Sequence, residues 1–113
     1  MAKLVVVNVA ARAEYAWRRI NDKPDSVTLY RKTVAQTDQT VRIESLENMR
    51  EATGGAGTSS LRGVVVFGVK DHPTVTDTDI QRGDTFLLND IKYRVVDLVF
   101  VPGEVQARCE AYQ

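Results

Sequence analysis

The chain has 113 residues, 43% of them hydrophobic and 27% charged, which fits one small soluble domain with a single core and excludes two independently folding units. Lys plus Arg and Asp plus Glu number 15 each, so the formal net charge is zero and the basic excess of a dedicated nucleic-acid binder is absent. A single cysteine, Cys109, excludes an intrachain disulfide and gives no sign of an oxidising compartment.

The opening run, MAKLVVVNVAARA, imitates a signal peptide through Lys3, the apolar stretch 4–11 and the pair Ala11 and Ala13. The stretch is short, broken by Asn8 and followed by Arg12, so the expectation is a chain made and kept in the cytoplasm. No apolar run approaches the length needed to span a membrane. Residues 9–23 predict an amphipathic helix, with Val9, Ala13, Ala16, Trp17 and Ile20 on one stripe and Asp22 and Pro24 ending it. Arg12, Arg19 and Lys23 line up beside that stripe, near Tyr15 and Trp17. They are candidate contacts to an acidic protein or to nucleic acid, or else a solvated face.

From Ser26 the apolar period changes to two. Residues 26–34 predict a strand ending in a polar turn at Gln36–Gln39, and residues 40–45 predict another, with Val41 and Ile43 on one face. The segment 46–53 reads equally as strand or short helix. Residues 53–63, TGGAGTSSLRG, hold four of the chain's seven glycines and predict a mobile loop. GVVVFGV (63–69) is apolar on both faces, the pattern of a central strand. Residues 84–88, the pair Asn89-Asp90 and residues 91–101 predict a hairpin. Pro102-Gly103 then turns the chain into a last strand, 104–111, with Val105, Ala107, Cys109 and Ala111 inward. The inward phase slips between Val95 and Val96, which predicts a β-bulge there. A helix followed by about six strands with short turns predicts a mainly β fold, a small antiparallel barrel or sandwich over residues 26–112.

Several stretches carry chemistry on paper. Arg82-Gly83-Asp84 matches an adhesion tripeptide, but Gly83 takes positive φ freely and Asp84 bonds neighbouring N–H groups, so the reading is a turn into a strand. His72 with Asp71, Asp77 and Asp79 offers metal ligands; with one histidine in the chain and no EF-hand spacing, a solvated acidic loop is expected. Cys109 falls on the core face and is expected to be structural. Ser59 and Ser60 sit in a glycine-rich stretch that lacks the lysine and following helix of a phosphate loop. No constellation for acid–base or nucleophilic catalysis emerges, and no metal or cofactor is expected.

The segments Thr28-Leu29-Tyr30-Arg31 and Ile80, Gly83, Asp84, Phe86, followed by Tyr93, Val95 and Val96, give the chain a resemblance to the head-closure proteins of tailed phages. These are also called head–tail joining, stopper or head-completion proteins. The similarity covers roughly residues 26–112, and the helix at 9–23 departs from the shorter N-terminal arm of that family. The resemblance implies a non-enzymatic β-barrel that forms a ring, typically dodecameric, beneath the portal and its adaptor. Such a ring closes the DNA-filled head and docks the tail, touching packaged DNA only transiently. It would place this chain at the virion neck, with the helix face (Arg12, Tyr15, Arg19, Lys23) and the loop (Gly54, Gly55, Gly57, Thr58, Ser59, Ser60, Arg62) as candidate assembly interfaces. A tail-completion or other neck protein is one alternative. A small-barrel nucleic-acid-binding module is another; it needs aromatics interleaved with cations. Only Tyr30 beside Arg31 and Lys32, and Tyr93 beside Lys92 and Arg94, approach that.

Overall fold

A computed structural model of the chain describes residues 8–46 and 63–112. The readings of the leader-like residues 1–7, the segment 47–52 and the glycine-rich loop through Arg62 lie outside the described residues.

Helix α1 runs Val9–Asp22. Asn8 caps it, its side-chain oxygen accepting the Ala11 N–H at 3.0 Å, which satisfies one of the first-turn donors a helix leaves orphaned. The chain leaves helical geometry at Lys23, just before Pro24. The expected stripe is real: Ala13, Ala16 and Ile20 are buried and Trp17 is half-buried. Burying Ile20 alone is worth about 2 kcal/mol.

Among the described residues eight strands follow, all paired antiparallel: β1 (Asp25–Val27), β2 (Tyr30–Arg31), β3 (Val34–Ala35), β4 (Gln39–Ser45), β5 (Gly63–Val69), β6 (Thr85–Leu88), β7 (Ile91–Val101) and β8 (Glu104–Ala111). Their order is β1-β4-β5-β8-β7-β6-β2-β3. The sheet curls because its two ends belong to one stretch of chain. β1 pairs with β4, β2 pairs with β6, and only Thr28 and Leu29 separate them. β1 also lies against β6, and Leu29 is wholly buried at the crossing. Counting β1 and β2 as one interrupted stave, six staves surround the interior, in keeping with the expected small barrel.

Two expectations about this region need correction. The segment 26–34 is three short strands rather than one, and the tight turn lies at Lys32-Thr33 rather than at 36–39. Lys32 and Thr33 both take positive φ (51° and 68°), the signature of a type I′ hairpin turn, without the Asn or Gly that normally announces one. A β-branched residue there is strained by about 1–3 kcal/mol. The surrounding pairing holds it, with Tyr30 opposite both Ala35 and Thr85.

The hairpins further on are as expected. Asn89 and Asp90 take φ of 51° and 65° between β6 and β7. The β7–β8 register runs Val95 opposite Cys109, then Asp97 opposite Arg108, which leaves Val96 as the extra residue of a bulge. β5 is buried on both faces because each packs against something different. Val64 and Val66 face the barrel interior with Val41, Ile43, Phe86, Tyr93, Val95, Val105, Ala107 and Cys109. Val69 joins Ala13, Ile20, Trp17 and Val75 in a second cluster beneath the helix. The helix therefore lies on the outside of the barrel, over β4 and β5.

Cys109 illustrates the dryness of the interior. It is fully buried, its thiol bonded weakly to the Ala107 carbonyl at 3.4 Å, and desolvation pushes its pKa up to about 12 from 9.0. A thiol raised in the folded state keeps its full stabilising contribution below the unfolded value and loses it as pH climbs through the folded one. Stability is therefore expected to decline between about pH 9 and pH 12 in the wild type. That loss should shrink in Cys109→Ala, measured by urea unfolding across the range. The thiol of native protein should also resist an aromatic disulfide reagent until denaturant is added.

Candidate functional site

The two sequence motifs that carry the family resemblance meet at one point. Arg31, the last residue of β2, donates from Nε to Asp84 Oδ1 at 3.0 Å and from Nη2 to Asp84 Oδ2 at 2.9 Å, a two-pronged ion pair between residues 53 apart in sequence. Asp84 is 1% exposed and also accepts the Gln81 N–H at 2.8 Å. The backbone locks the same corner: the Gly83 N–H donates to Val95 O and the Val95 N–H to Asp84 O. Arg31 reaches Asp79 as well, at 3.1 Å, and the two carboxylates hold the guanidinium pKa above its ordinary value, Asp84 contributing most. So Arg82-Gly83-Asp84 does turn a chain, with Gly83 at φ 92°, but the aspartate's principal partner is an arginine the local sequence does not show.

A second junction ties the helix to the β5–β6 connection. His72 Nδ1 accepts the N–H groups of Thr74 and Val75, both at 3.0 Å, so Nε2 carries the proton and donates to Glu14 Oε2 at 2.7 Å. That bond, with help from Arg18, holds the Glu14 carboxyl below the usual carboxylate range. The His72 side chain is only 5% exposed, whereas Asp71, Asp77 and Asp79 are exposed, so the loop's carboxylates are solvated as expected and its histidine is not. Thr78 stitches its far end, donating its N–H to Val69 O and accepting the Val69 N–H. Asp77 accepts the Asp71 N–H and pairs with Lys70; Asp79 is spent on Arg31. Among the described residues no three His, Cys, Asp or Glu side chains gather where a metal would need them.

The candidate interface residues on the helix divide. Arg12, Tyr15 and Lys23 are exposed, Tyr15 strongly so. Arg19 is half-buried instead: its guanidinium lies 5.6 Å from the Phe67 ring and 3.7 Å from Glu104, and its carbonyl accepts from Arg42 Nη1. It fastens the helix to the barrel. Gly54, Gly55, Gly57, Thr58, Ser59, Ser60 and Arg62 lie outside the described residues. Pro102-Gly103 brings the β7–β8 turn hard against the helix, as the distances at Gly103 show: a Cβ there would come within 2.3 Å of the Ala13 nitrogen.

The aromatic and basic residues are arranged across strands rather than along them. Tyr93 points inward and stacks on Phe86, while Lys92 and Arg94 point out, as alternation requires. Tyr30, however, is exposed and shares a row with Thr85 and Arg94. Tyr112, whose N–H donates to Lys92 O, lies under the Arg94 guanidinium at 4.4 Å. One-strand reasoning missed this grouping, since the contributing residues come from β2, β6, β7 and the end of β8. Comparison with protein-family models, with curated proteins and with solved structures gives no match for the chain.

Proposed function

We propose that this protein is a structural component of the tailed-phage neck, a head-closure subunit that assembles head-to-tail into a ring under the portal and adaptor. The observation that carries the reading is the Arg31–Asp84 junction. It joins the two resembling segments, which are far apart in sequence, at one barrel corner through the buried Asp84 carboxylate. A resemblance whose parts fold together is stronger than one scattered over unrelated loops.

The physical character of the chain suits such work. A ring subunit presents two different surfaces to its neighbours, and exposed residues are available both on the helix side, at Arg12, Tyr15 and Lys23, and on β7, at Val99 and Phe100. A charge-balanced subunit holds passing DNA weakly, because non-specific affinity grows with the number of phosphates neutralised. The deciding experiment is deletion of the reading frame from its genome, with electron microscopy and DNA content of the particles. Tailless capsids that packaged DNA and then lost it are the expected result. DNA-filled heads beside malformed tails would move the protein to tail completion, and intact infectious particles would overturn the neck reading.

A further inference from the structure

We propose that the outer face formed by Tyr30, Lys32, Leu87, Lys92, Arg94 and Tyr112 is a docking site for an extended acidic polypeptide segment bearing an apolar side chain beside its carboxylates. This does not depend on the neck reading; it follows from the surface itself. Two clefts of about 220 and 420 Å³ meet over Tyr30, Thr85 and Tyr112. Leu87 and Lys92 bound the first, and Lys32, Thr33, Gly83 and Arg94 the second. None of the residues that line them is a carboxylate.

The charge at this face is uncompensated. Arg18, Arg19, Arg31, Arg42 and Lys70 each have an acidic partner within 4.0 Å. Lys32, Lys92 and Arg94 have none among the described residues. Glu110 stands opposite Arg94 in the β7–β8 register, leaving the two lysines unanswered. The Arg94 guanidinium carbon lies 4.4 Å from the Tyr112 ring centroid, and its N–H groups make no ion pair among the described residues, which leaves them for a carboxylate.

The excess of positive charge favours an anionic occupant, and the rest of the lining chooses its class. Leu87 is 56% exposed and Tyr30 43% exposed, apolar area that an aliphatic or aromatic side chain covers and a phosphate does not. A single-stranded nucleic acid would need open ring faces for stacking, and Arg94 already covers one face of Tyr112. With few cations on a chain of zero net charge, counterion release would add little to its binding. Tyrosine and arginine around an apolar centre are the composition of a protein interface.

The test is fluorescence anisotropy on the full chain. The probe is a labelled peptide of aspartates and glutamates with a central Phe and Leu, and an oligothymidine of about twelve nucleotides serves as the competing probe. Saturable peptide binding is expected, weakened about tenfold or more by Lys92→Glu with Arg94→Glu and by Tyr30→Ser, and unchanged by Arg18→Glu, whose side chain is exposed and lines neither cleft. A peptide with Ser in place of Phe and Leu should bind several-fold more weakly. Circular dichroism of each variant separates lost binding from lost fold. Three outcomes overturn the proposal: no saturable binding up to about 1 mM peptide, affinity indifferent to charge reversal in a folded variant, or tighter binding of the oligothymidine.

Discussion

Arg31→Met is expected to cost about 3 kcal/mol of folding stability, read as a lowered urea midpoint with an unchanged slope. The Asp84 carboxylate is 1% exposed, and its remaining partner would be the Gln81 N–H. Removing one member of a buried pair leaves the other as a desolvated, uncompensated charge, the costliest way to break it. The Arg31–Asp79 contact adds little to this figure, since Asp79 is 53% exposed and solvent screens it. The double variant Arg31→Met with Asp84→Leu should recover most of the loss, because an apolar pair of similar size removes both charges together. A double variant as unstable as the sum of its singles would mean that the corner needs the carboxylate for the Gln81 N–H rather than for the arginine.

Gly103→Ala is expected to cost about 3 kcal/mol or more, and Gly83→Ala only about 1 kcal/mol. Both glycines take positive φ, 81° and 92°, so both substitutions carry the same backbone penalty. They differ in what surrounds them. At Gly83 an added methyl meets nothing within 4 Å, whereas at Gly103 it meets the helix backbone at 2.3 to 2.8 Å, at Arg12 and Ala13. Backbone cannot rotate aside as a side chain can, so the helix must lift from the barrel and expose Ile20 and Val69. The thermal midpoints of the two variants, together with proteolysis at the helix, check the contrast. Equal losses would show that the β7–β8 turn and the helix are not packed as closely as the distances require.

The role of the His72–Glu14 junction follows from the same geometry. It crosses from the helix to the loop after β5, so that helix, loop and β7–β8 turn support one another. The helix is thereby part of the domain's stability, and of the four interface residues expected on this face Arg12, Tyr15 and Lys23 are exposed while Arg19 is held against the barrel.

What the sequence determined by itself rests on neighbours a few residues away. Helical spacing of Ala13, Ala16 and Ile20 marked the buried stripe, and strict alternation in 104–111 marked the inward side of β8. The two-sided apolar run 63–69 marked the central strand, and one phase slip marked the bulge at Val96. Asn89-Asp90 and Pro102-Gly103 marked their turns, because the conformations those turns need are costly for most other residues. Tertiary structure decided what depends on partners far along the chain. Thr33 holds a positive φ that its own side chain disfavours, since strand pairing on both sides of Tyr30 outweighs the local strain. His72 is pinned inside the loop rather than solvated because the helix delivers Glu14 to it. The Arg31–Asp84 pair and the cleft between Tyr30 and Tyr112 join residues whose sequence separation carries no signal. Only closure of the sheet, with residues 25–31 spanning its two ends, brings them within reach.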